Sequence, residues 1–470
     1  MADRTVGDLA ILLHSHMPYV EGFGTYPFGE EWLFDAFARS YLPVLDVAER
    51  LTMTVTPVLA DQLEADGVGE RMRRFLRRHR VDAADRDVAD AGAAMRGAAK
   101  AEADHYTEAI RRLSRLGGRP LRAFQEAHAR GRIALMSSAA THAVLPKLAT
   151  VAGRRLQVDA GLRSHERRFG EPDGFWLPEC AYVPGLEAVL AERGIAYTCL
   201  DQSSHERGTA ALTSIQLPGG PVGFTIDWPT VRLVWSEGGY PSDGSYLEYH
   251  RLSQNGMRLW SISGTPYEPA LAAQRASEHA ASFLAAVRDR LERHRSERSR
   301  RGLCVFAADT ELLGHWWAEG PIWLREVIKG AELDGVRLLT LPQALREHEP
   351  EERPAYEASW GEGKSLETWD SPSVSDLVWA TRRCELRLLR ALAQRALEEP
   401  GAMRAARELL ALQSSDWAFM DHRGQAGDYP YARATAHAEA MLEAIDSAAA
   451  VDPRVRNLAP DLSLSPLLEP

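Results

Sequence analysis

Leu9-Ala10-Ile11-Leu12-Leu13-His14-Ser15-His16-Met17-Pro18-Tyr19 runs five apolar residues straight into two histidines at alternate positions. A strand that is apolar on both faces has no solvent side, so it belongs inside a parallel sheet covered by helices. The pattern recurs along the chain. Residues 51–58, rich in Thr and Val, read as a second strand ended at Pro57, and residues 133–137 as a third that runs into His142. Residues 174–177 lead through Pro178 to Glu179, residues 195–200 carry Asp201, residues 218–225 read as a short strand, and residues 303–307 deliver Asp309. Helical stretches fall between them at 32–49, 151–168, 184–193 and 270–299, with a longer Ala/Arg/Glu-rich helical insertion over about 61–130. Strand, then a polar or aromatic residue at its end, then helix is how α/β barrels expose catalytic groups from several strands on one face.

The chain changes character after Glu349. Residues 374–398, 401–412 and 431–448 read as helices, with Ser414 to Met420 breaking the run. The expected layout is a catalytic domain over 1–364, including a long loop at 236–249, and a helical C-terminal domain over 365–470.

Composition narrows the function. The chain has 470 residues, 45% hydrophobic, enough for a catalytic domain plus a smaller one. A net charge of −11 argues against a nucleic-acid surface and suits a neutral polymer. Twelve tryptophans offer flat faces that bind sugar rings as readily as they fill cores. The four cysteines, Cys180, Cys199, Cys304 and Cys384, have neither zinc-knuckle spacing nor disulfide density. The N-terminal stretch lacks a signal peptide's apolar run and no segment reaches transmembrane length, so a cytoplasmic protein with no membrane partner is expected. No glycine-rich phosphate loop or dinucleotide fingerprint follows the first strand.

Glu179 in Trp176-Leu177-Pro178-Glu179-Cys180-Ala181-Tyr182 and Asp309 in Asp309-Thr310-Glu311-Leu312-Leu313-Gly314-His315-Trp316-Trp317 share one kind of setting. Each ends an apolar strand and is packed among aromatics. Glycoside cleavage needs two carboxyl groups flanking the bond, one to attack and one to protonate the leaving oxygen. The sequence pattern alone leaves open which acid does which. His14, His16, His142 and Asp201 admit two readings. They make a metal site like that of a barrel deacetylase or zinc-dependent mannosidase, or they hydrogen-bond sugar hydroxyls and the acids without metal.

These phrases, with Ser415-Asp416-Trp417, occur in the order found in the family-57 glycoside hydrolases, and the chain most resembles that family's 1,4-α-glucan branching enzymes. The resemblance implies an α/β fold, an incomplete (β/α)7 barrel with helical insertions and a C-terminal helical domain that contributes to the cleft. It implies a retaining mechanism with no metal and no cofactor, Glu179 as nucleophile and Asp309 as general acid/base. It places His14, His16 and His142 around the donor sugar with Asp201 nearby, Trp417 completing the cleft, and Tyr240 on a flexible loop above it. Trp260, Trp360 and Trp369 are further candidates for glucan contact, as are His315 and Trp316 beside Asp309 and Asp416 beside Trp417. The expected partner is an α-glucan such as amylose or glycogen, bound by a monomer or weak homo-oligomer. The alternatives are an α-amylase-like hydrolase, a 4-α-glucanotransferase, a metal-dependent deacetylase or mannosidase, or a non-catalytic carbohydrate-binding protein.

Overall fold

The computed structural model describes residues 5–25, 27–394, 397–447 and 457–468. Its strands are β1 (Gly7–Ser15), β2 (Leu51–Val55), β3 (Ile133–Ser138), β4 (Phe175–Trp176), β5 (Tyr197–Leu200), β6 (Ile215–Gln216), β7 (Val222–Thr225), β8 (Leu303–Asp309) and β9 (Val336–Leu338). All nine residues of β1 are buried, as its two apolar faces require. It pairs in parallel with β2 on one side and β8 on the other, in the order β4-β3-β2-β1-β8, while β9 joins the start of β1. β5 and β7 form a second parallel pair, with β6 antiparallel to β7. The sets are joined on the β4–β5 side and on the β7–β8 side. Gly174 bridges Tyr197, and the Asp227 N–H, just past β7, donates to the Val305 carbonyl at 2.8 Å. The result is a curled parallel sheet wrapped by helices.

Its amino-terminal end is held by ions. Asp8 is fully buried and bonded to Arg337 at 2.8 Å, His348 at 2.8 Å and Arg301 at 3.1 Å. The carboxyl ends of the strands are left for chemistry.

β2 stops at Val55, three residues short of the expected end. Pro57 instead opens a helix, Pro57–Leu63, where its fixed φ and missing N–H are tolerated. The insertion that follows is helical as expected, through Val68–Phe75, Asp82–Asp90, Arg96–Arg115 and Arg122–Ala129. Loop 236–249 is less extended than its composition implies. It folds a turn at Tyr240–Ser242 and pairs Leu247 with Ser261.

The C-terminal part contains helices Ser375–Ala393, Glu399–Leu412, Ser415–His422 and Tyr429–Asp446. The expected break over 414–420 shrinks to Gln413 and Ser414. Ser414 is the extended N-cap of the next helix, so its polar neighbours start a helix rather than interrupt one. Residues 395–396 and 448 of the expected helices lie outside the described residues. Leu409, Leu410, Trp417 and Met441 share a core with Leu156 and Ala160 of helix Val151–Phe169, which ties the C-terminal helices to the sheet. Among the described residues no helix is long and apolar enough to cross a membrane.

Candidate active site

Parallel pairing sets the site. His14 of β1 lies in register with Asp309 of β8, and Glu179, His142 and Asp201 follow β4, β3 and β5, so the expected groups converge on one end of the sheet. Pro178 begins a tight turn in which Glu179 takes φ 59° and Cys180 φ 49°, and His142 also has a positive φ of 60°. Left-handed backbone at non-glycine residues costs of order 1–3 kcal/mol and persists where neighbours fix it. The Glu179 carbonyl accepts the Trp360 N–H at 2.7 Å, and Trp360 packs edge-on against Trp176. Gly314, with φ 104°, turns the chain beyond Asp309, where a side chain would strike the Arg39 carbonyl.

The histidines meet as the β1 alternation predicts. The His14 and His142 Nε2 atoms are 2.9 Å apart, and the His14 ring stacks on Trp176. His16 Nε2 reaches Asp416 at 3.1 Å, and its Nδ1 reaches Thr56 Oγ1 at 3.1 Å. Burial drives His14 and His142 well below the usual imidazole range, with the His16 charge adding to it, so both are neutral. Burial opposes charge on His16 too. The adjacent Asp416, with Glu179 and Glu311 behind it, outweighs that and raises its pKa. Among the described residues no three His, Cys, Asp or Glu side chains converge with metal-ligand geometry.

Glu179 Oε1 accepts the Ser415 hydroxyl at 2.8 Å and lies 3.6 Å from His142 Nδ1. Burial pushes its pKa up to about 8, opposed by Ser415 and His16 and supported by the charges of Asp309 and Asp416. Asp309, without a side-chain hydrogen bond among the described residues, lines a crevice with Trp228, Trp235, Trp360 and Lys364. Burial raises it to about 6 against the pull of His16. Glu311 is a third buried acid. It accepts the Tyr41 hydroxyl and, at 3.1 Å, the His16 N–H, and burial followed by the Asp309 charge raises it to about 8. Tyr41 ends a π-helical turn, Phe37–Tyr41, a distortion often found near functional sites.

A model of glycosyl hydrolase family 57 matches residues 10–357, and a model of the 1,4-alpha-glucan branching enzyme C-terminal region matches 377–459. The chain belongs to glycosyl hydrolase family 57. It is 33% identical over 509 residues to the probable 1,4-alpha-glucan branching enzyme Rv3031 of Mycobacterium tuberculosis, covering 96% of this chain and 94% of that one. The fold is similar to the crystal structure of the family-57 branching enzyme TK1436 of Thermococcus kodakaraensis, with a TM-score of 0.92, 28% identity and coverage of 98% and 96%. It is equally similar to the Pyrococcus horikoshii branching enzyme, with a TM-score of 0.91, 29% identity and coverage of 98% and 97%.

Within this family-57 site the other expected residues are placed unevenly. Asp201 is buried and holds Ser203 and, at 2.8 Å, the Lys364 ammonium, which also sits 3.2 Å over the Trp228 ring. It is committed to that ion pair. Trp369 donates its indole N–H to the Ser415 carbonyl at 3.2 Å. Trp417 is buried among the C-terminal helices, its N–H on the Ala411 carbonyl at 2.8 Å and its ring stacked on His437. Tyr240 stacks on His279 and donates to Ser282 at 3.0 Å, so its side chain is engaged with helix Pro269–Arg298. Trp260 carries the Arg251 guanidinium on its face, and His315 Nε2 contacts the Tyr249 hydroxyl at 3.2 Å. Trp316 is exposed and meets the exposed Trp235 edge-to-face at 6.3 Å.

Ser415, Lys364, Glu311 and Trp228 are site neighbours that sequence reasoning passed over. A buried Asp201 demands a cation, which is the one signal that points to Lys364. Lys364→Met strands that carboxylate and is expected to cost about 3 kcal/mol, seen as a lower urea midpoint. An unchanged midpoint would show that Ser203 alone satisfies Asp201.

Proposed function

We propose that the chain is a 1,4-α-glucan branching enzyme, which cleaves α-1,4 bonds with retention and transfers the chain to a glucan 6-hydroxyl. The observation that carries this is the pair Glu179 and Asp309 at the ends of β4 and β8. Glu179 is oriented by Ser415, while Asp309 is unencumbered in a tryptophan-walled crevice. Glu179 attacks the anomeric carbon while Asp309 protonates the departing oxygen. Asp309 then takes the proton of the incoming 6-hydroxyl, which opens the glycosyl ester. The names of the bacterial and archaeal relatives support this acceptor. Trp228 also walls an open groove of about 530 Å³ with Arg207, Arg232 and Arg290, space that suits a polymer. Incubation with amylose tests the reading. Many isoamylase-released chains with few new reducing ends establish transfer, and reducing ends without branches make the protein a hydrolase.

The finer fold and setting belong to the same proposal. β1, β2, β3, β4, β5, β7 and β8 run parallel around the curled sheet, with β9 adding only a short parallel pairing at the start of β1, which supports an incomplete (β/α)7 barrel. The domain boundary falls at about residue 365. The partner is an intracellular α-glucan, the location cytoplasmic, and the protein a monomer or weak homo-oligomer.

The two acids interact, so they titrate as a pair rather than singly. Without substrate, burial favours the proton on Glu179 over Asp309, with values of about 8 and about 6. The proposed roles need it on Asp309. Substrate supplies the shift, because positive charge growing at the anomeric carbon favours ionised Glu179 and the glycosidic oxygen accepts from Asp309. One proton on the pair is the active form. Activity is therefore expected to be bell-shaped, falling below about pH 6 as both acids protonate and above about pH 8 as both ionise. Full activity retained at pH 9 would contradict it.

A further inference from the structure

Ser415 comes from the C-terminal helices yet touches the acid at the end of β4. Its backbone N–H donates to the His142 carbonyl at 3.2 Å, and Ala143 bridges Ser414, so this segment is laced onto the loop after β3. Its Oγ lies 2.8 Å from Glu179 Oε1 and 2.9 Å from His142 Nδ1. Beyond His142 the contacts continue to His14 Nε2 at 2.9 Å, and from His14 Nδ1 to Thr54 Oγ1 at 2.5 Å.

Proton counting gives this chain one direction. In the ionised form that attacks, the Glu179 carboxylate only accepts, so the single Ser415 proton points at it. The Ser415 oxygen must then accept from His142, which puts the imidazole proton on Nδ1. His142 is neutral, so its Nε2 is bare and accepts from His14 Nε2–H. His14, also neutral, is left with a bare Nδ1 that accepts the Thr54 hydroxyl proton. The Thr54 oxygen in turn accepts the Ser15 N–H at 3.3 Å. Every donor meets one acceptor, and the series ends on Glu179.

We propose that Ser415 is the positioning residue of the nucleophile, its hydroxyl fixed by the Thr54–His14–His142 series so that it holds Glu179 Oε1 and leaves Oε2 to attack. The inference rests on Glu179 being the nucleophile. In the glycosyl ester the same hydroxyl stays on the carbonyl oxygen, Oε1, and polarises it for the second step. The C-terminal helices thereby set the reactive acid's orientation and charge, rather than only a wall of the cleft. Asp416, the next residue, binds His16 from the same helix start.

The test compares Ser415→Ala with Ser415→Thr, which keeps the hydroxyl, in the full-length protein. Ser415→Ala is expected to lower kcat/KM on amylose about 10- to 100-fold, the loss typical of a hydrogen bond to a charged group. It should also move the alkaline limb of the pH profile, the one set by Glu179, up by about one unit, because the ionised nucleophile has lost a donor. Ser415→Thr should restore both. Should the alanine variant not fold, the near-isosteric and weakly donating Ser415→Cys carries the same expectations. An unshifted limb, or a threonine variant no better than alanine, overturns the proposal. Trapping the wild-type protein with 5-fluoro-α-glucosyl fluoride and mapping the labelled peptide separates the two ideas. A label on Glu179 with an unshifted limb sinks only the role of Ser415, whereas a label elsewhere removes the nucleophile reading and this proposal with it.

Discussion

Glu179→Gln is expected to leave a folded protein whose glucan turnover is lower by about 10⁴-fold or more, the scale seen when a covalent nucleophile is removed. Glutamine keeps the shape of the side chain, and its carbonyl oxygen still accepts the Ser415 hydroxyl that Oε1 accepts now. Stability should not suffer, and the sign follows from the pKa. The carboxyl is raised from its ordinary 4.5 to about 8 in the folded protein. Between those values the native state binds more protons than the unfolded chain, so wild-type stability falls as pH rises through that window. A glutamine cannot ionise, so the variant lacks that contribution and gains relative to wild type toward pH 8. Circular dichroism and urea melts at pH 5 and pH 8, beside an amylose assay, read both effects. A folded variant with ordinary turnover would remove Glu179 from the chemistry.

What the sequence exposed and what it hid divide along a physical line. Strand ends were legible because burial on both faces of β1 and β8 forces an unbroken apolar run, and a polar residue at the end of such a run stands out. His14 and His16 could be assigned to one side from alternation alone, and the structure brings both to His142. Contacts across hundreds of residues were not legible. Ser415 lies 236 positions from the Glu179 it touches, and Lys364 lies 163 from Asp201. Neither residue type in its local setting differs from a helix cap or a surface lysine, and only the folded sheet shows which buried acid each one serves. The aromatic residues were ambiguous for the opposite reason. A tryptophan suits a core and a sugar face equally, and the fold used Trp417 for the first, within the C-terminal helices, while leaving Trp316 exposed.

Asp309→Asn separates the two acids by the step each one serves. With amylose the leaving oxygen needs a proton and the incoming hydroxyl must lose one, so removing the acid/base should lower turnover by about 10²–10⁴-fold. An α-maltosyl fluoride needs no proton on its leaving group. Its first step should proceed near the wild-type rate, and the glycosyl-enzyme on Glu179 should accumulate because the second step has lost its base. Azide attacks without a base, so adding it should restore turnover and give the α-glycosyl azide, the retained product. Glu179→Gln should show none of these responses, since it has no ester to form. The contrast matters because the ligand-free pKa order, with Glu179 above Asp309, taken alone would assign the acid role to Glu179. Geometry argues the other way. Glu179 is held by a donor suited to an anion, while the Asp309 carboxyl has no side-chain hydrogen bond among the described residues and faces the crevice where a leaving oxygen would sit. Azide rescue of the Asp309 variant with an α product would settle the roles as drawn. A β-azide from it would make Asp309 the nucleophile, with the raised Glu179 as its acid.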